Sequence, residues 1–356
     1  MPTTRDKTAG MRQAATILGL YVFAAPFGYL LNWIGVPLAW MIGPMLFTAA
    51  LVGSGLFTRL VPTTTRPFGQ IVVATFVGAY FSPEAFHALR QTAPVVLGLC
   101  VVTLVSALVV AHVLTRVFKT DPVTAVLSVM PTSPVEASIL AEAHGVSPTP
   151  IIFAQITRVA MVVLLVPLML FLADHGPVQT PLPVSAGPAA QGGLWIMLGG
   201  AFAGVAVFKL FRLTNPNFLG PLFASSALAA WGYQTYAMPI AVLYLAQLIL
   251  GTWLGSCFRP GLWRSGDHVL ASVLLSSALL LLLCSIGAVL MSLVVEIPLA
   301  TLLLGAAPGG VTEMALTAGI LGLDVALVTV IHLARIFFIM PNINRIVQLK
   351  KGRHAV

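Results

Sequence analysis

The stretch Gln70–Pro83, QIVVATFVGAYFSP, returns as Gln247–Pro260, QLILGTWLGSCFRP, at an offset of 177 (247 minus 70) and without a gap. Gln, Thr, Gly, Phe and Pro stand at the same places in both copies. Working outward at the same offset, Gly43-Pro44 returns as Gly220-Pro221. Pro131, Glu136, Ala141, Gly145 and Arg158 return as Pro308, Glu313, Ala318, Gly322 and Arg335. Repeated leucines mean little in an apolar chain, but Gln, Glu, Arg and Pro repeating at one fixed offset mark a duplication.

The duplicated unit is a membrane unit. Of 356 residues 58% are hydrophobic and only 8% charged, where a soluble domain of this length carries about 25% charge. Runs such as Val95–His112 and Leu270–Val295 are long enough to cross a hydrocarbon core of about 30 Å. Many such runs in one chain predict a polytopic helical bundle, because lipid forces each segment to satisfy its own backbone. The net charge of +8 lies in short connections between apolar runs, where Lys and Arg report topology rather than a nucleic-acid surface.

Each unit holds five spanning segments, predicted at 14–34, 38–57, 67–82, 91–115 and 148–172, then at 191–211, 217–232, 239–257, 268–294 and 324–344. Between the fourth and fifth lies an element broken in its middle: 121–145, interrupted at Pro131-Thr132-Ser133-Pro134, and 298–322, interrupted at Pro308-Gly309-Gly310. Each half is too short to cross, so the element is a re-entrant hairpin or one broken spanning helix. Charge discriminates between them. If it re-enters and the N-terminus is cytoplasmic, fifteen cations fall inside and only Arg90 outside, with Arg158 and Arg335 inside the membrane. If it spans, the score falls to eleven against five. The positive-inside rule favours re-entry, and an odd number of crossings then turns the two units opposite ways. The expected fold is all-α, about ten transmembrane helices in two inverted five-helix repeats. In order these are a cytoplasmic tail (1–13), the first repeat (14–173), an extracytoplasmic linker (174–190), the second repeat (191–344) and a basic cytoplasmic tail (345–356). Inverted repeats with broken elements belong to secondary transporters.

Ionisable groups at membrane depth are candidates for function. Arg158 and Arg335 lie about ten residues into their helices, near the midplane at 1.5 Å per residue. Gln155 and His332, three residues earlier, share their faces. Glu136 and Glu313 follow the breaks and are the carboxylates expected to neutralise the arginines. A second reading of both is structural: Ser133-Pro134-Val135-Glu136 has the spacing of a capping box, and Gly310-Val311-Thr312-Glu313 repeats it with a weaker cap. Asp324 and Ser147 read as caps of the following helices. Each break also exposes the positive end of a half-helix. With Thr132, Ser133, Gly309, Gly310 and Thr312 on the two tips, the expected ligand is a small carboxylate-like anion, and Na⁺ or H⁺ the expected coupling ion.

Enzyme chemistry has no support. The seven histidines form no HxH, HxxH or HExxH cluster, so no metal or other cofactor is expected. There is neither a GxSxG nor a phosphate-binding glycine loop. The three cysteines (Cys100, Cys257, Cys284) show no disulfide or metal spacing. Expected partners are a small anionic substrate, the lipid bilayer and a second copy of the chain in a homodimer, with no nucleic acid.

At Pro308, Gly309, Gly310, Glu313, Gly322, Asp324 and Arg335, and at the echo from Pro131 to Arg158, the chain resembles the AbrB-type family of duplicated bacterial membrane proteins over nearly its whole length. The resemblance implies a multi-pass protein of the bacterial inner membrane. Members carry labels of transcriptional regulator or ammonia monooxygenase, and neither label follows from these residues. More distantly, inverted five-helix units with Gly-rich hairpin tips are similar to the citrate and glutamate sodium symporters, from which the first tip departs with PTSP in place of a Gly pair. The functional expectation is a secondary active transporter. The rival is a membrane-bound sensor that binds a ligand and regulates gene expression through a partner.

Overall fold

A computed structural model describes residues 4–57, 61–132, 134–173, 192–231, 238–258 and 267–352, and every regular element among them is helical. The expected linker 174–190 and the tip residue Ser133 lie outside the described residues. In the first unit α1 (Thr4–Trp33), α2 (Ala39–Gly53) and α3 (Arg66–Gly78) precede a short amphipathic α4 (Pro83–Gln91). The long α5 (Ala93–Val117), the short pair α6 (Pro122–Val129) and α7 (Pro134–Ala143), and α8 (Pro148–Ala173) follow. The second unit runs α9 (Gly192–Leu210), α10 (Pro216–Ala230), α11 (Ile240–Ser256), α12 (Asp267–Ser292), α13 (Leu299–Ala306), α14 (Val311–Ile320) and α15 (Val325–Ile339). A 3₁₀ turn at Met340–Asn342 then leads into α16 (Ile343–Gly352).

Among the described residues, five helical stretches are long and apolar enough to cross a membrane: Thr16–Trp33, Ala93–Val117, Pro148–Leu172, Val269–Ser292 and Val325–Gln348. The expected spans at 67–82 and 217–232 are helices of 13 and 15 residues. At 1.5 Å per residue they extend roughly 20–23 Å, short of a straight crossing. Length alone therefore establishes an α-helical membrane protein and half of the expected spans.

Packing repeats with the sequence. The α1–α2 contact is mirrored by α9–α10, α2–α11 by α10–α3, α5–α6 by α12–α13, and α7–α8 by α14–α15. Lipid offers no hydrophobic gain for joining helices, so close approach at small residues does it. Gly43 presses on the backbone of Phe27 and Gly28, and its equivalent Gly220 presses on Gly204 and Val205. Direction also follows from these contacts. Gly98 meets Met291 and Val102 meets Gly287, so residue number rises along α5 as it falls along its equivalent α12. The two fourth helices of the units run antiparallel.

The broken elements fold back on themselves. Gln155 Nε2 donates to the carbonyl of Leu127 at 2.9 Å, and Arg158 Nη1, one turn later, to that of Val129 at 2.7 Å. Thus α6 ascends beside α8 in the same direction. Capping starts and stops the arms: Asp121 accepts from Thr124 N–H at 2.9 Å, and Asp324 from Leu327 N–H at 2.9 Å, as its sequence position leads one to expect. Gly145 and Gly322, equivalent across the repeat, end α7 and α14 in the left-handed region at φ 76° and 68°. Each is followed by an N–H reaching five residues back, Val146 to Ala141 and Leu323 to Ala318, which is the Schellman stop that glycine permits. Both arms of the first hairpin consequently lie along the N-terminal half of α8. In the second, Gly305 on α13 packs against Ile331 while Arg335 meets Ala307, the same arrangement along α15.

Candidate functional site

Each buried arginine hydrogen-bonds the carbonyls that end a broken helix. Arg335 donates from Nη1 to the carbonyl of Ala307 at 2.9 Å and from Nη2 to that of Gly309 at 3.0 Å. Arg158 Nη1 donates to Val129 O at 2.7 Å and more weakly to Met130 O at 3.5 Å. The cause is local. A helix leaves its last carbonyls unpaired, and α6 and α13 end inside the protein, where Met130 and Ala307 turn into extended backbone at ψ 143° and 134°. Buried in the protein interior, these carbonyls are satisfied by guanidinium donors from the neighbouring helix, and the negative end of each half-helix favours a cation there. Both Nη hydrogen bonds of Arg335 go to backbone carbonyls rather than to the Glu313 carboxylate.

A cavity of about 160 Å³ lies between the two tips. Its walls include Pro131 and Thr132 of the first tip, Gly309, Gly310, Thr312 and Glu313 of the second, and Gln155, Arg158 and Arg335 from the helices behind them. These sequence-selected residues, drawn from both units, come together. Gln155 is buried and also donates to Thr132 Oγ1 at 3.0 Å, tying the tip to α8. Gln70 of α3 joins the lining, whereas Gln247 is buried away from it. Glu136 lines a wider chamber of about 620 Å³ that shares Arg66, Trp253, Pro134, Asn215 and Ile336 with the first. His332 does not reach the cavity. It is fully buried, with Nδ1 2.9 Å from the Val328 carbonyl of its own helix, which makes it a core histidine rather than a ligand contact. Ser133 lies outside the described residues, so its capping role does too. At the second tip Gly310 makes no side-chain cap, and a Cβ there would strike the Glu313 carboxylate.

Two lining residues were not singled out from sequence. Arg66 opens α3, and its guanidinium carbon sits 4.1 Å from the centre of the Trp253 ring on α11, a cation–π contact. Sequence reading counted Arg66 as a topology signal among the other loop cations. One signal was available: at the offset of 177 its equivalent is Leu243, and that of Trp253 is Phe76. The pair therefore breaks the repeat. The cavity wall thus carries three arginines against one carboxylate, Glu313.

Residues 40–350 match the family model described as "Transition state regulatory protein AbrB". Across 95% of its length the chain is 22% identical to "Uncharacterized protein YhjN" of Bacillus subtilis (strain 168), covering 94% of that protein. It is 25% identical to "Putative regulator AbrB" of Escherichia coli (strain K12), over 88% of this chain and 90% of the other.

Proposed function

The chain belongs to the AbrB family, and we propose that it is a secondary active transporter of a small carboxylate-like anion. The observation that carries this reading is the cavity between two broken-helix tips, with Arg158 and Arg335 in its wall. Charges at membrane depth are costly and are kept where they serve a substrate path. Here the tips also present the N-terminal ends of α7 and α14, whose N–H groups favour an anion, and Nε of both arginines is buried without a partner.

In this reading the two units are oppositely oriented, with ten crossings, two re-entrant hairpins and both termini on the cytoplasmic side of the inner membrane. The antiparallel run of α5 and α12 supports it. So does the wider chamber, whose Thr63, Thr214 and Met340 adjoin the cation-rich connections that the positive-inside rule assigns to the cytoplasm. The structure then represents a cytoplasm-open state. Closing the group α1–α3 with α9–α11 against the hairpin group would pass the anion to the other side. Coupling to Na⁺ or H⁺ supplies the gradient, and Glu313 in the cavity wall is the group suited to exchange charge with the cycle.

A second reading, ligand sensing with control of gene expression through a partner, draws on the word regulator in the name of the Escherichia coli relative. Both readings need the cavity, so flux separates them. Purified protein in proteoliposomes, with an imposed Na⁺ or H⁺ gradient and a panel of radiolabelled carboxylates, is expected to accumulate at least one of them above empty vesicles. Saturable binding without gradient-driven accumulation across the panel would support sensing instead.

A further inference from the structure

The cavity has two cationic poles. Arg158 and Arg335 stand behind the tips, where they hold the end carbonyls of α6 and α13, whereas Arg66 opens α3. Arg66 lies on the Trp253 face at the threshold, because both residues line the inner cavity and the wider chamber alike. The duplication places Leu243 and Phe76 at the equivalent positions, so this second pole exists in one half only.

Charge and size narrow the ligand. With Glu313 ionised, the three guanidinium groups of the wall leave two positive charges there. A monoanion would leave one of them uncompensated in a low-dielectric site, which is costly. A volume of about 160 Å³ is close to the roughly 150 Å³ cavity that accepts a benzene-sized molecule. A four-carbon chain with a carboxylate at each end fits both limits, and a guanidinium presents a planar fork suited to each end.

We infer that the site takes a compact dicarboxylate. One carboxylate is held between the tips by Arg158 and Arg335, and the other by Arg66, which exchanges the charge of Glu313 for that of the ligand. The inference rests on reading the cavity as an anion site. Arg66 and Trp253 then set specificity for two charges over one, and the tips alone would accept a monocarboxylate.

The test compares succinate with butyrate, which have the same chain length and differ by one carboxylate. Thermal shift and equilibrium dialysis are run on full-length detergent-solubilised protein at matched ionic strength. The native protein is expected to bind succinate at least tenfold more tightly than butyrate. Arg66→Gln should weaken succinate at least tenfold, to the level of butyrate, while changing butyrate less than twofold. Should Arg66→Gln fail to fold, Arg66→Lys carries the same comparison, with a loss of at least threefold for succinate alone. An equal loss for both acids, or no loss for either, overturns the role of Arg66 and leaves the anion site standing. If neither acid binds the native protein, the anion reading itself fails, and this inference with it.

Discussion

Arg335 donates to the carbonyl oxygen of Gly309 at 3.0 Å, and with its second nitrogen to Ala307 at 2.9 Å, so one side chain closes the second hairpin tip. Arg158 closes the first tip with Nη1 alone. Both arginines thus complete broken helices as well as charging the cavity, and their structural and ligand-binding roles can be separated by substitution.

Lysine offers one nitrogen where arginine offers a fork. Arg158→Lys can still reach the Val129 carbonyl, whereas Arg335→Lys must abandon Ala307 or Gly309. A buried carbonyl left unpaired costs about 1–3 kcal/mol. Arg335→Lys is therefore expected to lower thermal stability in detergent by about that much more than Arg158→Lys does. Equal losses would show that the two tips are not held in the different ways described.

The partners of Arg335 are carbonyls, so removing a carboxylate should not compensate for its loss. Arg335→Gln is expected to be destabilised, and adding Glu313→Gln should restore no more than about 0.5 kcal/mol, the additivity seen for uncoupled sites. Melting curves of the two single variants and the double variant decide it. Recovery of most of the lost stability would reinstate a direct Arg335–Glu313 pair.

Gly220 has the backbone of Gly204 and Val205 where a methyl group would go, while Gly199 on the same partner helix has open space around it. Gly220→Ala should force α9 and α10 apart at about 1–3 kcal/mol. Gly199→Ala should be neutral or stabilise by up to about 1 kcal/mol, because alanine is the better helix former. Urea or thermal unfolding of the pair provides the comparison, and Gly43→Ala should behave like Gly220→Ala.

The antiparallel register of α5 and α12 is open to cross-linking. Val102 Cβ stands 3.2 Å from the position of a Cβ at residue 287, a few tenths of an ångström short of the roughly 3.5–4.5 Å that a disulfide spans. In a background lacking Cys100, Cys257 and Cys284, Val102→Cys with Gly287→Cys should oxidise to a bridge that retards unfolding. The equivalent-position pair Gly98→Cys with Leu275→Cys should not, since this register sets residues 275 and 291 roughly 24 Å apart along α12. Bridging of the second pair in place of the first would refute the opposed orientation of the units.

Much of this protein was legible in its sequence because lipid makes the rules local. A segment in hydrocarbon must pair its own backbone polar groups, so apolar length marks helices, a Pro/Gly/Ser interruption marks a break, and a charge ten residues into a helix stands out against its surroundings. Duplication then doubles the signal of Arg158 with Arg335 and of the two breaks, while Gln155 stands out by its place three residues before Arg158. His332 misled for the same reason. Spacing places it on the face of Arg335, but only packing decides that its ring turns to the Val328 carbonyl.

By itself the sequence determined the membrane class, the duplication and the broken elements. The tertiary structure alone decided what Arg158 and Arg335 hold, that Arg66 and Trp253 meet across 187 positions of chain, and that α5 packs directly on its equivalent α12. The physical reason is that pairing between helices in lipid rests on close fit at a few small residues and on orphan carbonyls at helix ends. Neither leaves a periodic mark in the chain, and each exists only once two distant segments have come into contact.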